Sequence, residues 1–517
     1  MAQSRVEKSV KNITVGFVCV LINALCTFIT TSLFVRLLGE ELNGVNRLFA
    51  NILQVLSLAD LGFATAVAYS LYKPMKDGDE KAASAIMNYF AKVYRVIAAV
   101  VLVAGICCIP FLQYLINEDI EDLAFTLNTL RSYFVLYLFN TVSSYLLAYK
   151  RTIITADQNN YVVSLVDNIG NIVANIVQIA LLALFRNYYL YLAVMIIKTL
   201  ANNAIITFIA NKKYPYLKRN KGAALEKAER RALVKNVEAT FCHRVGSVAI
   251  YSTTTILISA LVSVVDAGKY GNYILIVNQV GVFINIIFSS LTASIGNLCV
   301  SEEIGYQLSV FKRVSYFSNF IVIFVMTCFF GLFNDFVGLW LGETNVFPLS
   351  VTAILSLSAS APYLRSPVNA FKEAKGLFKK DWFKPLLEGA TGVLLGVLLG
   401  NVLGISGIIL GYMASSLCLA MPIEDYVLFR YGFKKRAFPH FVKQTAVFAV
   451  GCASAFVANR LCLLLPAGWL WFAVKVCVCF ALPVFGYILC TFKTSEFGYY
   501  KTLFRRKILR RRNGDNP

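Results

Sequence analysis

The chain has 517 residues, of which 58% are hydrophobic and only 15% charged, and its formal net charge is +21. Soluble domains carry roughly a quarter charged residues, so the composition excludes an ordinary soluble globular protein and speaks against an enzyme with a soluble catalytic domain. The positive balance needs no nucleic acid to explain it, because membrane topology and contact with anionic lipid headgroups account for it.

Long apolar runs recur along almost the whole chain, separated by short polar connections. A helix needs about 20 apolar residues to cross a hydrocarbon core of ~30 Å, whereas a barrel strand needs only ~10 alternating ones. The pattern predicts an all-α polytopic membrane protein with about 14 spans. In chain order they are 12–38, 46–72, 88–115, 123–149, 158–184 and 187–211, then 236–263, 270–298, 315–341, 347–371, 385–402 and 404–429, and last 440–463 and 467–491. The first run follows Lys8 and Lys11 but is too long for the core of a cleavable signal. Alternate connections hold 37 of the 49 Lys and Arg residues, while the opposite connections hold only Arg186, Lys269 and Arg460. By the positive-inside rule the basic connections and both termini are cytoplasmic. The chain is expected to cross a membrane many times.

The longest polar stretch, 212–235, leads into AALEKAERRALVKNVEA (223–239), which reads as an amphipathic cytoplasmic helix. It divides the chain into an N-terminal lobe (1–211), the linker helix (212–235), a C-terminal lobe (236–429), two accessory spans (430–491) and a basic tail (492–517). The lobes show a weak repeat at an offset of 227, which pairs Gly44 with Gly271, Asn51 with Asn278, and Thr65-Ala66 with Thr292-Ala293. Parallel repeats of this kind place transporter substrates at their interface. The RRKILRRR tail (505–512) reads as a basic interfacial segment. The outer connections are too short to hold a catalytic or ligand-binding ectodomain. The 13 cysteines and the two histidines, His243 and His440, have no metal-ligand spacing, so no metal and no cofactor is expected beyond a coupling H⁺ or Na⁺.

Polar groups in hydrocarbon cost several kcal/mol unless satisfied, so their positions carry the information. In span 5, Ser164, Asn168, Asn171, Asn175 and Gln178 recur on one helical face, with Asp167 beside them. This face is either the wall of a hydrated cavity or a set of interhelical hydrogen bonds. Asn278 and Asn285 mark a similar face in span 8, and Asn51 sits in span 2. Gly392, Gly396 and Gly400 form a ridge suited to close helix packing. Among the charges, Lys198 lies near the middle of span 6, and Arg131, Arg244 and Arg365 lie one to two turns inside theirs. Arg36, Arg47 and Arg95 lie closer to the ends, where snorkelling is the competing explanation. Deep cations suit an anionic substrate, and deep carboxylates, here Asp60 and Asp167, suit ion or proton coupling. A structural Lys198–Asp167 pair is the alternative.

Several stretches together resemble the bacterial polysaccharide repeat-unit flippases (Wzx-type) of the MATE/MOP lipid-flippase superfamily. They are FVRLLGEELNGVNRLFANILQVLSLADLGFATAVAYSLYKPM from Phe34, SLVDNIGNIVANIVQ from Ser164, FCHRVGSVAIYSTTTILIS from Phe241 with GKYGNYILIVNQV and LTASIGNL beyond it, and LRSPVNAFKEAKGLFKKDWFKPLLEG from Leu364 with GISGIILG. The resemblance implies two six-helix lobes in a V around a central cavity, plus two C-terminal helices. It implies alternating-access transport of undecaprenyl-pyrophosphate-linked oligosaccharide repeat units from the inner to the outer leaflet of a bacterial cytoplasmic membrane, for cell-surface polysaccharide biosynthesis. The implied partners are that glycolipid, membrane lipids and other polysaccharide-assembly membrane proteins, with no nucleic acid. It points to Arg47, Lys198, Arg244 and Arg365 as cationic cavity residues. Asn51, Asn168, Asn171, Asn175, Asn278 and Asn285 would be the polar lining, and Asp60 and Asp167 the coupling candidates. The chain departs from the family pattern at Thr254-Thr255, where members often carry an Asp-Asn pair. The alternatives are a MATE-type drug or metabolite antiporter and a lipid II flippase, and further off a membrane glycosyltransferase or polymerase.

Overall fold

The computed structural model describes residues 2–57, 63–118, 123, 125–157 and 159–512. All regular structure there is helical: α1 (Ala2–Leu56), α2 (Phe63–Asp77), α3 (Glu80–Cys108), α4 (Leu127–Ala156), α5 (Asn160–Phe185), α6 (Tyr188–Lys213) and the short α7 (Tyr216–Arg219). Next come α8 (Lys227–Leu261), α9 (Val264–Ser301), α10 (Ile304–Leu341), α11 (Leu349–Ala374), α12 (Lys384–Leu403), α13 (Ile405–Ala414) and α14 (Met421–Val427). The last are α15 (Phe438–Leu463), α16 (Trp469–Thr491) and α17 (Ser495–Arg512).

Each predicted run falls on helix in the described residues, and ten helical segments are by themselves long and apolar enough to cross a membrane. Fourteen crossings remain an expectation, and the shortfall has a composition behind it. Helix α4 intersperses its apolar residues with Tyr133, Tyr137, Asn140, Thr141, Ser143, Ser144, Tyr145 and Tyr149, and α11 carries Arg365, Lys372, Glu373 and two internal prolines. Helix α8 opens on the charged run KAERRALVK. The pair Lys150-Arg151, expected in a connection, is instead helical, because nothing breaks α4 before Asp157 caps it.

The chain forms two compact units, 1–271 with 385–393, and 272–384 with 394–517. In the first, Leu48, Phe49, Phe90, Leu130, Phe134 and Ile153 are fully enclosed and build the core. Gly39 breaks the regularity of α1 with φ 89° and ψ 166°, a conformation that only glycine adopts without strain. One turn later Gly44 meets the start of α9 so closely that a Cβ would stand 1.8 Å from the Val264 carbonyl oxygen. The same corner is tied down by Glu118, whose carboxylate accepts from Val264 N at 2.8 and 3.0 Å. Ser259 Oγ donates to Leu115 O at 2.7 Å. Together with the packing of α8 on α1 and α2, these bonds tie α8 and the first turns of α9 into the first unit.

The second unit is organised around α10. Over half of its apolar window (56%) is buried by protein, against 17% for α16, so α10 is a central post and α16 a flank. Helices α11, α15 and α16 pack around it. Phe311, Phe371, Phe429 and Phe433 interlock at one end. Lys475 of α16 donates to both oxygens of Asp335 on α10 at 2.9 Å. The glycine ridge of α12 does pack closely: a Cβ on Gly411 would stand 2.4 Å from Gly396 N, and one on Gly407 2.0 Å from Leu399 O. Two π-helical segments, Ser415–Ala420 and Leu428–Phe433, flank α14.

Candidate functional site: polar and charged clusters within the spans

In the first unit the polar face of α5 meets α1 on one side and α6 on the other. Asn23 Nδ2 donates to Asn168 Oδ1 at 2.7 Å, and Thr30 Oγ1 to Asn175 Oδ1 at 3.3 Å. Lys198 Nζ donates to Asn171 Oδ1 at 3.2 Å, and Gln178 Nε2 to Tyr191 O at 3.2 Å. The stripe therefore joins three helices. Each asparagine amide can make about four hydrogen bonds, so these contacts leave donors and acceptors spare on half-buried side chains.

Asp167 is claimed by Arg151, whose Nη1 donates to Oδ2 at 2.6 Å, and Asn202 Nδ2 donates to Oδ1 at 3.3 Å. Arg151 also reaches Asn203 Oδ1 through Nε and Nη2 at 3.3 and 3.2 Å. The partner of Asp167 is thus Arg151 of α4 rather than Lys198. Gly170 makes the crossing possible, since a Cβ there would stand 2.2 Å from Asn202 Oδ1. Nearer the other end, Arg47 passes over Gly271, where a Cβ would stand 2.8 Å from its Nε. That Nε has no hydrogen-bond partner, while Tyr137, Tyr191 and Glu40 lie near enough to act on the guanidinium electrostatically. Asn51 Nδ2 donates to the Arg47 carbonyl at 2.8 Å. Just outside the spans, Asp157 Oδ2 lies 2.6 Å from Lys213 Nζ and accepts from Tyr214 Oη at 2.7 Å. Burial alone would raise the Asp157 pKa, but these hydrogen bonds outweigh it and hold the carboxyl below its usual value.

In the second unit Arg365 is held in a closed fork. Its Nε and Nη2 donate to the two oxygens of Glu424 at 2.8 Å each, and Nη1 donates to Ser416 Oγ at 2.6 Å. Lys384 Nζ adds a bond to Glu424 Oε1 at 2.5 Å. Lys372 pairs with Asp381 beside them. Asp425, next to Glu424, is equally buried; one oxygen lies 3.8 Å from His440 Nε2 and the other has no hydrogen-bond partner. The π-helical segments on either side of α14 reset the helix register and turn both consecutive acids inward. Asn278 and Asn285, seven residues apart on α9, both present exposed side chains.

The structure thus brings Asn168, Asn171, Asn175, Lys198 and Asp167 into one polar region, and it places Arg47 in the same unit. Arg365 belongs to a cluster in the other unit. Asp60 and the side chain of Arg244 lie outside the described residues. Sequence reading missed Arg151, Asn202 and Asn203, and also Lys384, Glu424 and the Lys475–Asp335 pair. Adjacent acids at Glu424-Asp425 near the end of an apolar run were the one visible signal. Among the described residues no group of three or more His, Cys, Asp or Glu residues is placed to hold a metal.

No family model and no curated protein matches the sequence. Solved structures do match in fold. The lipid II flippase MurJ, in an inward closed conformation, superposes with a TM-score of 0.66 at 12% identity, covering 95% of this chain and 100% of MurJ. A point mutant of the Vibrio cholerae MATE transporter VcmN gives 0.55 at 13% identity, over 83% of this chain and 98% of that one. An inward-facing multidrug resistance MATE family transporter of the MOP superfamily gives 0.57 at 10% identity, over 84% and 98%. This chain is accordingly a multi-pass membrane protein whose all-helical fold is like that of MurJ and the MATE transporters.

Proposed function

We propose that the protein is an alternating-access transporter that moves a polyprenyl-pyrophosphate-linked saccharide across the bacterial cytoplasmic membrane. The observation that carries this reading is the charge balance of α4, α5 and α6. These three helices hold Arg131, Lys150, Arg151 and Lys198 ahead of the Lys212–Lys213 pair that ends α6, and Asp167 is their sole acid. That acid is already paired with Arg151. Intramembrane charge of one sign attracts cargo of the other, so the surplus favours a pyrophosphate and disfavours the organic cations of a drug antiporter. The asparagine face supplies partners for sugar hydroxyls. Lys198 and Arg47 are the proposed phosphate ligands in this unit, because neither is closed in an ion pair with a carboxylate.

Within that cargo class, the full-length correspondence supports a lipid II-like substrate at least as well as a polysaccharide repeat unit. The MurJ structure leaves about a twentieth of this chain unmatched, and the two MATE structures leave about a sixth. The deciding experiment reconstitutes the protein in liposomes with fluorescent lipid II or with a labelled polyprenyl-pyrophosphate oligosaccharide. It reads the appearance of either on the far leaflet, with efflux of an organic cation dye as the third arm. Saturable flipping of either glycolipid supports the proposal, and the faster one names the cargo. Dye efflux with both glycolipids left in place would overturn it in favour of a MATE-type antiporter.

A further inference from the structure

A cavity of about 590 Å³ opens in the first unit between α3, the start of α2 and the segment before α8. It lies away from the α5–α6 polar region, and the proposed transport reaction does not use it. One face of α3 forms its long wall, and that face changes character along its length. Asn88, Tyr89 and Lys92 stand at the end that the positive-inside rule puts in the cytoplasm, and Val96, Ile97 and Val100 follow toward the middle of the helix. Val96 and Val100 are 63% and 51% exposed, so the apolar end opens sideways, where a bilayer would lie. Leu225 and Phe63 line the opposite side.

The polar end is built rather than incidental. The two N–H groups of Asn88 Nδ2 are shared among the carbonyls of Asn220, Lys221 and Ala223, at 3.0, 3.1 and 3.0 Å, which fixes the connecting segment across the mouth. Arg230 stacks over the Tyr89 ring at 5.2 Å, and its Nε donates to the Tyr89 hydroxyl at 3.3 Å. Arg230 and Lys92 both line the opening and are exposed. Two nearby acids are turned to another task, since Glu226 and Glu229 close the capping box of α8.

A cationic mouth above an apolar trough at headgroup depth repeats the polarity of a phospholipid read from phosphate to acyl chain. We propose that this cavity binds one anionic glycerophospholipid of the cytoplasmic leaflet, its phosphate between Lys92 and Arg230 and one acyl chain along Val96 and Val100. Bound there, the lipid would join α3 to the segment leading into α8, so the occupant reports the composition of the inner leaflet to the connection between the two halves of the sequence.

The test is native mass spectrometry of the full-length protein in detergent, titrated with phosphatidylglycerol or phosphatidylcholine. The expected result is one retained phosphatidylglycerol, bound more tightly than phosphatidylcholine. A basic side chain at an anionic surface is worth roughly fivefold in affinity, so Lys92→Gln with Arg230→Gln should weaken retention about 25-fold. Val100→Trp fills the trough and leaves the cations alone; it should also abolish retention, and it decides the matter if the double variant fails to purify as a folded protein. Equal retention of the two lipids, or unchanged retention in both variants, would overturn the proposal. Complete displacement of the lipid by inorganic phosphate would also overturn it, because the site would then be a bare anion site with no role for the chain.

Discussion

Glutamine at position 424 is the most informative single change. Glu424→Gln keeps the shape of the side chain and removes its charge, leaving Arg365 and Lys384 without the carboxylate they share. Both cations are deeply placed, with side chains 11% and 9% exposed, and Glu424 itself is 1% exposed. Breaking a buried pair by removing one partner costs about 3–5 kcal/mol. The upper half of that range is expected here, because two cations lose the carboxylate they share. Combining Glu424→Gln with Arg365→Gln removes one of the two cations that Glu424 served and should restore part of the loss, giving a coupling of about 2 kcal/mol in the double-mutant cycle. The assay is reversible unfolding in mixed dodecylmaltoside and SDS micelles, followed by tryptophan fluorescence. A cost below about 1 kcal/mol for Glu424→Gln, or additive single effects, would refute the argument. The cycle also bears on cargo. With Arg365 already neutralised by Glu424, Arg365→Gln should lower the amount of folded transporter and leave the KM of the folded fraction unchanged.

Three further outcomes follow from the geometry. Lys198→Met keeps the side-chain length and should raise the KM for a pyrophosphate-linked cargo by tenfold or more in the liposome assay, with a normal melting curve; an unchanged KM would leave Lys198 as a packing residue. Gly411→Ala places a methyl group 2.4 Å from Gly396 N, so α12 and α13 must separate, and a loss of about 1–3 kcal/mol is expected in the same micelle titration. The Asp157–Lys213–Tyr214 cluster should make the junction of α4 with α6 sensitive to acid. The folded pKa of Asp157 is depressed, so its contribution is fully present above the unfolded carboxyl value of about 3.9 and is lost as pH falls through the lower folded value. Hydrogen exchange at 150–160 should rise at that acid pH in the native protein and show no such step in Asp157→Asn.

The parts of this architecture that were readable in the sequence are those encoded at short range. A run of apolar residues declares a span without reference to any other part of the chain, and the 3.6-residue period places Asn168, Asn171 and Asn175 on one face. What that face touches was not readable. Asn168 meets Asn23, 145 residues away, and no local pattern encodes that pairing. The same holds for Arg365 and Glu424, 59 residues apart, and for Asp335 and Lys475, 140 apart. Depth alone made Arg365 look available to a ligand, because a sequence displays a buried cation and not its counter-ion. Arg151 was hidden for the opposite reason. Beside Lys150, at the end of a predicted span, it read as an ordinary topological charge, whereas α4 continues through it and turns it toward Asp167.

The Lys475–Asp335 pair also bears on biogenesis. Asp335 leaves the ribosome 140 residues before Lys475, the residue that donates to both its oxygens. While the hairpin of α15 and α16 is still being made, the flank of α10 presents an uncompensated acid to lipid or to the insertion machinery. Stable integration of the second unit therefore waits for the closing stretch of translation. Nonsense mutations upstream of residue 475 should yield a product that is recognised by its orphaned carboxylate and cleared by membrane proteolysis.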